Sequence, residues 1–96
     1  MSGKLELELC TRPTCSDCQD AKKYLAALNI VYVNKDVGAD STLEKEMKQI
    51  SGNRVVPLFV FYKKGLFGKR KQVKHFTGFQ ENKSEIVTLL PPSTEK

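Results

Sequence analysis

From Lys4 to Cys10 the chain alternates, with Leu5, Leu7 and Leu9 on one side and Glu6 and Glu8 on the other. A period of two marks a β-strand with one apolar and one wet face. Thr11-Arg12-Pro13-Thr14 follows as a turn, and Thr14 with Asp17 fits the S/T-x-x-D/E start of a helix. Cys18, Ala21, Leu25 and Leu28 then recur at intervals of three and four, the stripe of an amphipathic helix that stops at Asn29. Ile30–Val37 is β-branched and aromatic enough for a second strand. Gly38-Ala39-Asp40-Ser41 breaks the chain and offers a cap to a second helix, which carries Leu43, Met47 and Ile50 on one face and closes at Ser51-Gly52-Asn53.

Val55–Tyr62 is the most hydrophobic run and reads as a buried strand interrupted by Pro57. Gly65 and Gly68 bracket a hairpin tip, and Gln72–Thr77 returns as a fourth strand. A last helix from about Ser84 carries Ile86, Leu89 and Leu90; Pro91-Pro92 ends it, and Ser93–Lys96 is left as a loose tail. The order β-α-β-α-β-β-α predicts one α/β domain over residues 1–92, a four-stranded mixed sheet flanked by three helices. The β-α-β units imply parallel strands joined by right-handed crossovers, and the last two strands form an antiparallel hairpin.

Ninety-six residues suit a single domain, and a hydrophobic share of 40% supplies one core but not two. No run approaches the roughly 20 apolar residues that cross a bilayer, and Lys4, Glu6 and Glu8 deny the start an apolar signal segment. Three cysteines, an odd number, argue against a secreted disulfide framework and for a cytoplasmic chain whose disulfide is transient. The net charge of +5 is concentrated in Lys63, Lys64, Lys69, Arg70, Lys71 and Lys74, a basic hairpin read first as a solvated surface.

Cys15-Ser16-Asp17-Cys18 is the segment that carries chemistry. Residues three apart share a helix face, close enough for a disulfide. A helix start also presents unpaired amide hydrogens and a positive dipole end, both of which stabilise a thiolate. Cys15, in the first turn, receives most of this effect and attacks; Cys18, one turn in and on the Ala21–Leu25 stripe, is buried and resolves. Arg12 adds favourable charge, whereas Asp17 is expected to repel the thiolate. Three other readings compete: a zinc half-site with Cys10 and His75 as the only further ligands, an iron–sulfur module bridged by a second chain or glutathione, and two inert core thiols. A non-catalytic adaptor using the basic hairpin is a rival of another class, and nucleic acid is its least favoured partner. Cys10 reads as a packing residue.

Pro57 lacks the amide hydrogen of a central ladder and belongs at a strand start. Only about 5–6% of X-Pro bonds are cis, so the residues alone give Val56-Pro57 an ordinary strand-opening role. A cis bond would instead leave the Val56 N–H and C=O unpaired, free to bind an extended substrate.

The run from Cys10 to Cys18, followed by Ala21-Lys22-Lys23 and Leu25, resembles the active-site segment of glutaredoxins. Val56-Pro57 resembles their cis-proline site, and Thr77-Gly78-Phe79 stands where their glycine motif precedes the last helix. The resemblance runs from about Leu5 to Leu90. It implies a thioredoxin fold and reduction of protein disulfides or glutathione mixed disulfides; apart from the resemblance, no bound cofactor or metal and no membrane partner are expected. It also implies that Cys15 is the nucleophile, Cys18 the resolving thiol, and Arg12, Val56, Pro57, Gly78 and Phe79 the substrate contacts, in a monomer. Ser16-Asp17 replaces the usual Pro-Tyr, and Gly78-Phe79-Gln80 replaces Gly-Gly and an acid. The Gly-Phe pair is similar to redoxins that serve ribonucleotide reductase, so electrons are expected from glutathione or from thioredoxin reductase.

Overall fold

A computed structural model of the chain describes residues 5–64 and 70–91. Lys4, the hairpin tip at Gly65 and Gly68, Lys69, Pro92 and the tail 93–96 lie outside the described residues. Seven elements follow in the expected order: β1 (Leu5–Thr11), α1 (Ser16–Ala27), β2 (Val33–Asp36), α2 (Ser41–Ser51), β3 (Leu58–Lys64), β4 (Arg70–Thr77) and α3 (Lys83–Leu89). The sheet runs β2-β1-β3-β4, with β1 and β2 parallel and the β1–β3 and β3–β4 pairs antiparallel. Both of its faces are covered. Leu7, Leu9, Phe59, Phe61 and Phe76 meet Ala21 and Leu25 of α1 and Ile86 of α3 on one face. Cys10, Leu58 and Val60 meet Val37 and Met47 of α2 on the other.

The second strand is shorter than the run Ile30–Val37 suggests. After α1 the Ile30 N–H still bonds to the Leu25 carbonyl, and Asn29 takes a left-handed φ of 56°. That conformation is tolerated by asparagine more readily than by most residues. The chain is therefore still turning at Ile30, and the ladder with β1 begins only at Glu8↔Val33. Ile30 and Tyr32 are spent on the core instead. Likewise Val55 and Val56 precede the third ladder, which opens at Leu58, after the proline. The fourth strand starts earlier than expected, at Arg70, and its register shifts between Phe61 and Tyr62, leaving Val73 as the extra residue of a bulge. α2 follows expectation: the Asp40 carboxylate accepts the Thr42 N–H at 2.8 Å, and Gly52 ends the helix at a φ of 81°.

Glu8 overturns the picture of a first strand with one wet face. Its side chain points toward α2 and the residue is only 5% exposed. Lys35 Nζ approaches one carboxylate oxygen at 2.8 Å, and Arg70 Nη2 donates to the other at 2.9 Å. Arg70 also reaches Glu6 at 3.2 Å and lies over the Tyr62 ring at 4.3 Å. Alternation located the strand correctly, but it assigned the charged face to water when a layer covers it. Burial acts to raise the Glu8 carboxyl, and hydrogen bonds with Lys35 and Arg70 outweigh it, so the group ends below its ordinary value of 4.5.

A depressed carboxyl stabilises the fold above its unfolded value, and that contribution is lost as pH falls through the folded one. Glu8→Gln should therefore destabilise the protein by about 1–3 kcal/mol near neutral pH. Urea unfolding is expected to show this gap narrowing as pH drops below 4.5. A gap of the same size at about pH 3 would show that the ion pairs contribute nothing beyond packing.

Candidate active site

The turn between β1 and α1 carries the Cys15-Ser16-Asp17-Cys18 segment to the end of the sheet where β3 begins and β4 ends. Cys15, not Thr14, is the N-cap of α1. Its φ and ψ of −93° and 114° are extended, its carbonyl accepts the Gln19 N–H at 3.2 Å, and its Sγ accepts the Cys18 N–H at 3.2 Å. The capping-box reading is thereby shifted by one residue, and Thr14 is exposed in the turn. Sulfur here takes the place that a serine or aspartate oxygen fills in other helices.

Cys15 is partly exposed and Cys18 fully buried, among the same helix residues as Ala21 and Leu25. Both thiols are free. Burial first, and then the hydrogen bond with Cys15, push the Cys18 thiol up to about 12; the charges of Cys15 and Asp17 add to this, and a backbone hydrogen bond from Arg12 opposes it. Cys10 sits on the other face of the sheet beside Met47 and Leu58, its thiol raised by burial to about 11.

The peptide bond between Val56 and Pro57 is cis, as the family resemblance implies and the residues alone do not. The Val56 carbonyl is not unpaired: the Cys15 thiol donates to it at 3.7 Å. The Gly78 N–H donates to the Pro57 carbonyl at 2.8 Å. Gly78 has a φ of 97°, a backbone conformation in which any other side chain is strained, so glycine suits this position. The next amide, of Phe79, donates to Asp17 Oδ2 at 2.8 Å. These bonds close a ring that runs from Cys15 to Val56-Pro57, to Gly78-Phe79, and back through Asp17 to the first turn of α1.

Asp17 was expected to mark the helix start and to repel the thiolate, and it also ties α1 to the turn before α3. Its partner is a main-chain amide 62 positions away, which no local pattern announces. Phe79 turns its ring into the core, 5.9 Å from Phe59 and 5.5 Å from Tyr24, so the motif Gly78-Phe79 is anchored from below. Arg12 pairs through Nη2 with Glu44 of α2, and Arg54 Nε donates to the same carboxylate oxygen at 3.0 Å. The two guanidinium groups hold the Glu44 carboxyl below its usual range. Glu44 and Arg54 were missed by the sequence reading because only folding brings them beside Arg12.

No group of three or more His, Cys, Asp or Glu side chains among the described residues is placed to hold a metal. No helix among them is long and apolar enough to cross a membrane.

The sequence model of the glutaredoxin family matches residues 7–65, a span from β1 to the end of β3. The chain belongs to the glutaredoxin family. No functionally curated protein matches its sequence. Among solved structures it is similar to Plasmodium falciparum thioredoxin (TM-score 0.62, 20% identity, 92% of this chain and 73% of that one). It is similar as well to Trichomonas vaginalis thioredoxin (0.61, 21%, 88% and 78%) and to buckwheat glutaredoxin in complex with glutathione (0.60, 20%, 90% and 76%). The architecture is the thioredoxin fold that the family resemblance implies, in a family of thiol oxidoreductases.

Because Cys15 caps α1, its replacements should differ in stability. Cys15→Ser supplies a preferred cap and is expected to unfold within about 0.5 kcal/mol of the wild type. Cys15→Ala should lose about 0.5–2 kcal/mol, a fall in Tm of roughly 4–8 °C per kcal/mol. Thermal unfolding in reducing buffer checks this, and equal melting of the two variants would deny the cap.

Proposed function

We propose that this protein is a dithiol thiol–disulfide oxidoreductase that reduces disulfides of polypeptide partners, or their mixed disulfides with glutathione. The observation that carries the reading is the position of one sulfur, partly exposed at the start of α1 and 3.2 Å from the Cys18 amide nitrogen, with a second sulfur buried one turn behind. The Cys18 amide hydrogen and the positive end of the helix meet that first sulfur.

In the first step the Cys15 sulfur attacks one sulfur of the substrate disulfide, whose S–S bond breaks as a mixed disulfide forms; the departing substrate thiolate takes a proton. In the second, Cys18 loses its proton and attacks the Cys15 sulfur. The second substrate thiol leaves, and the Cys15–Cys18 disulfide holds the two electrons' worth of oxidation. The Val56 carbonyl, which accepts from the Cys15 thiol in the free protein, is positioned to pair with the backbone of an extended substrate. Pro57 and Gly78 shape that edge, Phe79 braces it, and Arg12 is the proposed basic contact.

A cytoplasmic donor recharges the pair. Gly78-Phe79 favours thioredoxin reductase over glutathione in this role, and the protein works as a monomer.

Cys15→Ser should abolish reduction of a model disulfide, whereas Cys18→Ser should accumulate the mixed disulfide, seen as an adduct by mass spectrometry. Turnover by Cys15→Ser at the wild-type rate would dismiss the assignment. NADPH oxidation coupled through thioredoxin reductase is expected to exceed that through glutathione and its reductase. The reverse ranking would make glutathione the donor.

A further inference from the structure

Asp17 is the one charged residue between the two cysteines in the sequence, and its oxygens have unequal surroundings. Oδ2 accepts the Phe79 N–H at 2.8 Å. Oδ1 is buried and meets no donor among the described residues. A carboxylate shut off from water on one side is poorly screened, so its field reaches neighbouring atoms with a low effective dielectric. Glu81 adds a second acid on the same side, its Oε1 3.3 Å from where a Gly78 Cβ would stand. Across the site the positive charge is partly spent, since Arg12 and Arg54 share the Glu44 carboxylate.

The hydrogen bond also has a chemical consequence. The Phe79 amide is a main-chain donor in the ring of hydrogen bonds that begins at Cys15, and an anionic ligand at that amide would need the donor free. Asp17 already occupies it with a carboxylate that belongs to the protein. An incoming carboxylate meets a filled donor and a like charge.

We infer that Asp17 is a specificity-determining residue that selects substrates by charge. Disulfides flanked by amines or other cationic groups are reduced in preference to disulfides that carry carboxylates near the sulfur. The substrate class is therefore a polypeptide disulfide with basic neighbours rather than an acidic small-molecule disulfide. This rests on the thiol–disulfide reading above and adds a substrate preference to it.

The test oxidises the pre-reduced protein with three small disulfides: cystamine, which is cationic, 3,3′-dithiodipropionate, which is anionic, and neutral 2-hydroxyethyl disulfide. Each rate is divided by the rate at which dithiothreitol reduces the same probe, which removes intrinsic reactivity. Wild type should favour cystamine over dithiodipropionate by about tenfold at low salt, and less as salt rises. Asp17→Asn removes the charge but retains an oxygen for the Phe79 amide, and Asp17→Ala removes both. Both should bring the ratio down to about twofold or less. An unchanged ratio in Asp17→Asn overturns the inference, and so does a fall confined to Asp17→Ala, which would make the hydrogen bond, not the charge, responsible. Failure of the neutral probe to oxidise wild type at all would instead bring down the thiol–disulfide reading itself.

Discussion

The structure depends on a sulfur doing the work of a capping oxygen. A helix start leaves amide hydrogens without partners, and something must meet them. Here the Cys15 Sγ accepts the Cys18 amide, so the atom that organises the first turn is also the proposed nucleophile. The arrangement holds only if α1 is fixed against the sheet, since a free helix of 12 residues is marginal in water. Ala21 and Leu25 supply that fixation by burial against Leu7, Leu9 and Phe59. Cys18 continues the same stripe, and its burial follows from the packing that holds the helix down.

Closing the ring around the site takes three chain segments remote in sequence. β3 delivers Val56-Pro57 at its entrance, and the end of β4 delivers Gly78 and Phe79. The two are joined by the Gly78 N–H bond to the Pro57 carbonyl. Asn82 then donates to the Thr77 and Gly78 carbonyls at 2.8 and 3.1 Å, so the turn before α3 is held from both sides. The far end of the same hairpin is built less favourably. Lys63 faces Lys71 across the ladder, and Lys64 faces Arg70. Like charges opposite one another cost stability, and of these four cations only Arg70 is paired with an acid among the described residues, through Glu6 and Glu8.

Hydrophobic period made the element order, the mixed sheet and most of the core legible, because burial of a stripe is a local property of the sequence. Cys15 and Cys18 were legible for the same reason, as a spacing at a helix start. Boundaries were lost where the backbone turned against the pattern: Asn29 delays β2, and Pro57 delays β3. Glu8 was misplaced because alternation separates two faces without saying which is covered. Residue type said water, and Lys35 with Arg70 made burial affordable. The second role of Asp17 was hidden for a different reason. Its charge is visible in the sequence, but its hydrogen bond joins positions 17 and 79, and its partner is an amide that every residue except proline possesses.

The burial of Cys18 bears on the order of events in the proposed exchange. A thiol raised to about 12 is a poor nucleophile at neutral pH, and the causes of the rise are not all permanent. Burial persists throughout the cycle. The hydrogen bond with Cys15 and the charge on Cys15 act only while Cys15 is a free sulfur. Once Cys15 enters a mixed disulfide it is no longer a free sulfur, and its two influences that hold the proton on Cys18 are removed. The Arg12 backbone bond, which favours the Cys18 anion, is then opposed by less. Attack by the first cysteine thus eases ionisation of the second, and resolution follows capture of a substrate rather than competing with it. A pair of equally exposed thiols would have no such sequence built in, so burying one and capping a helix with the other favours the order of the two proposed steps.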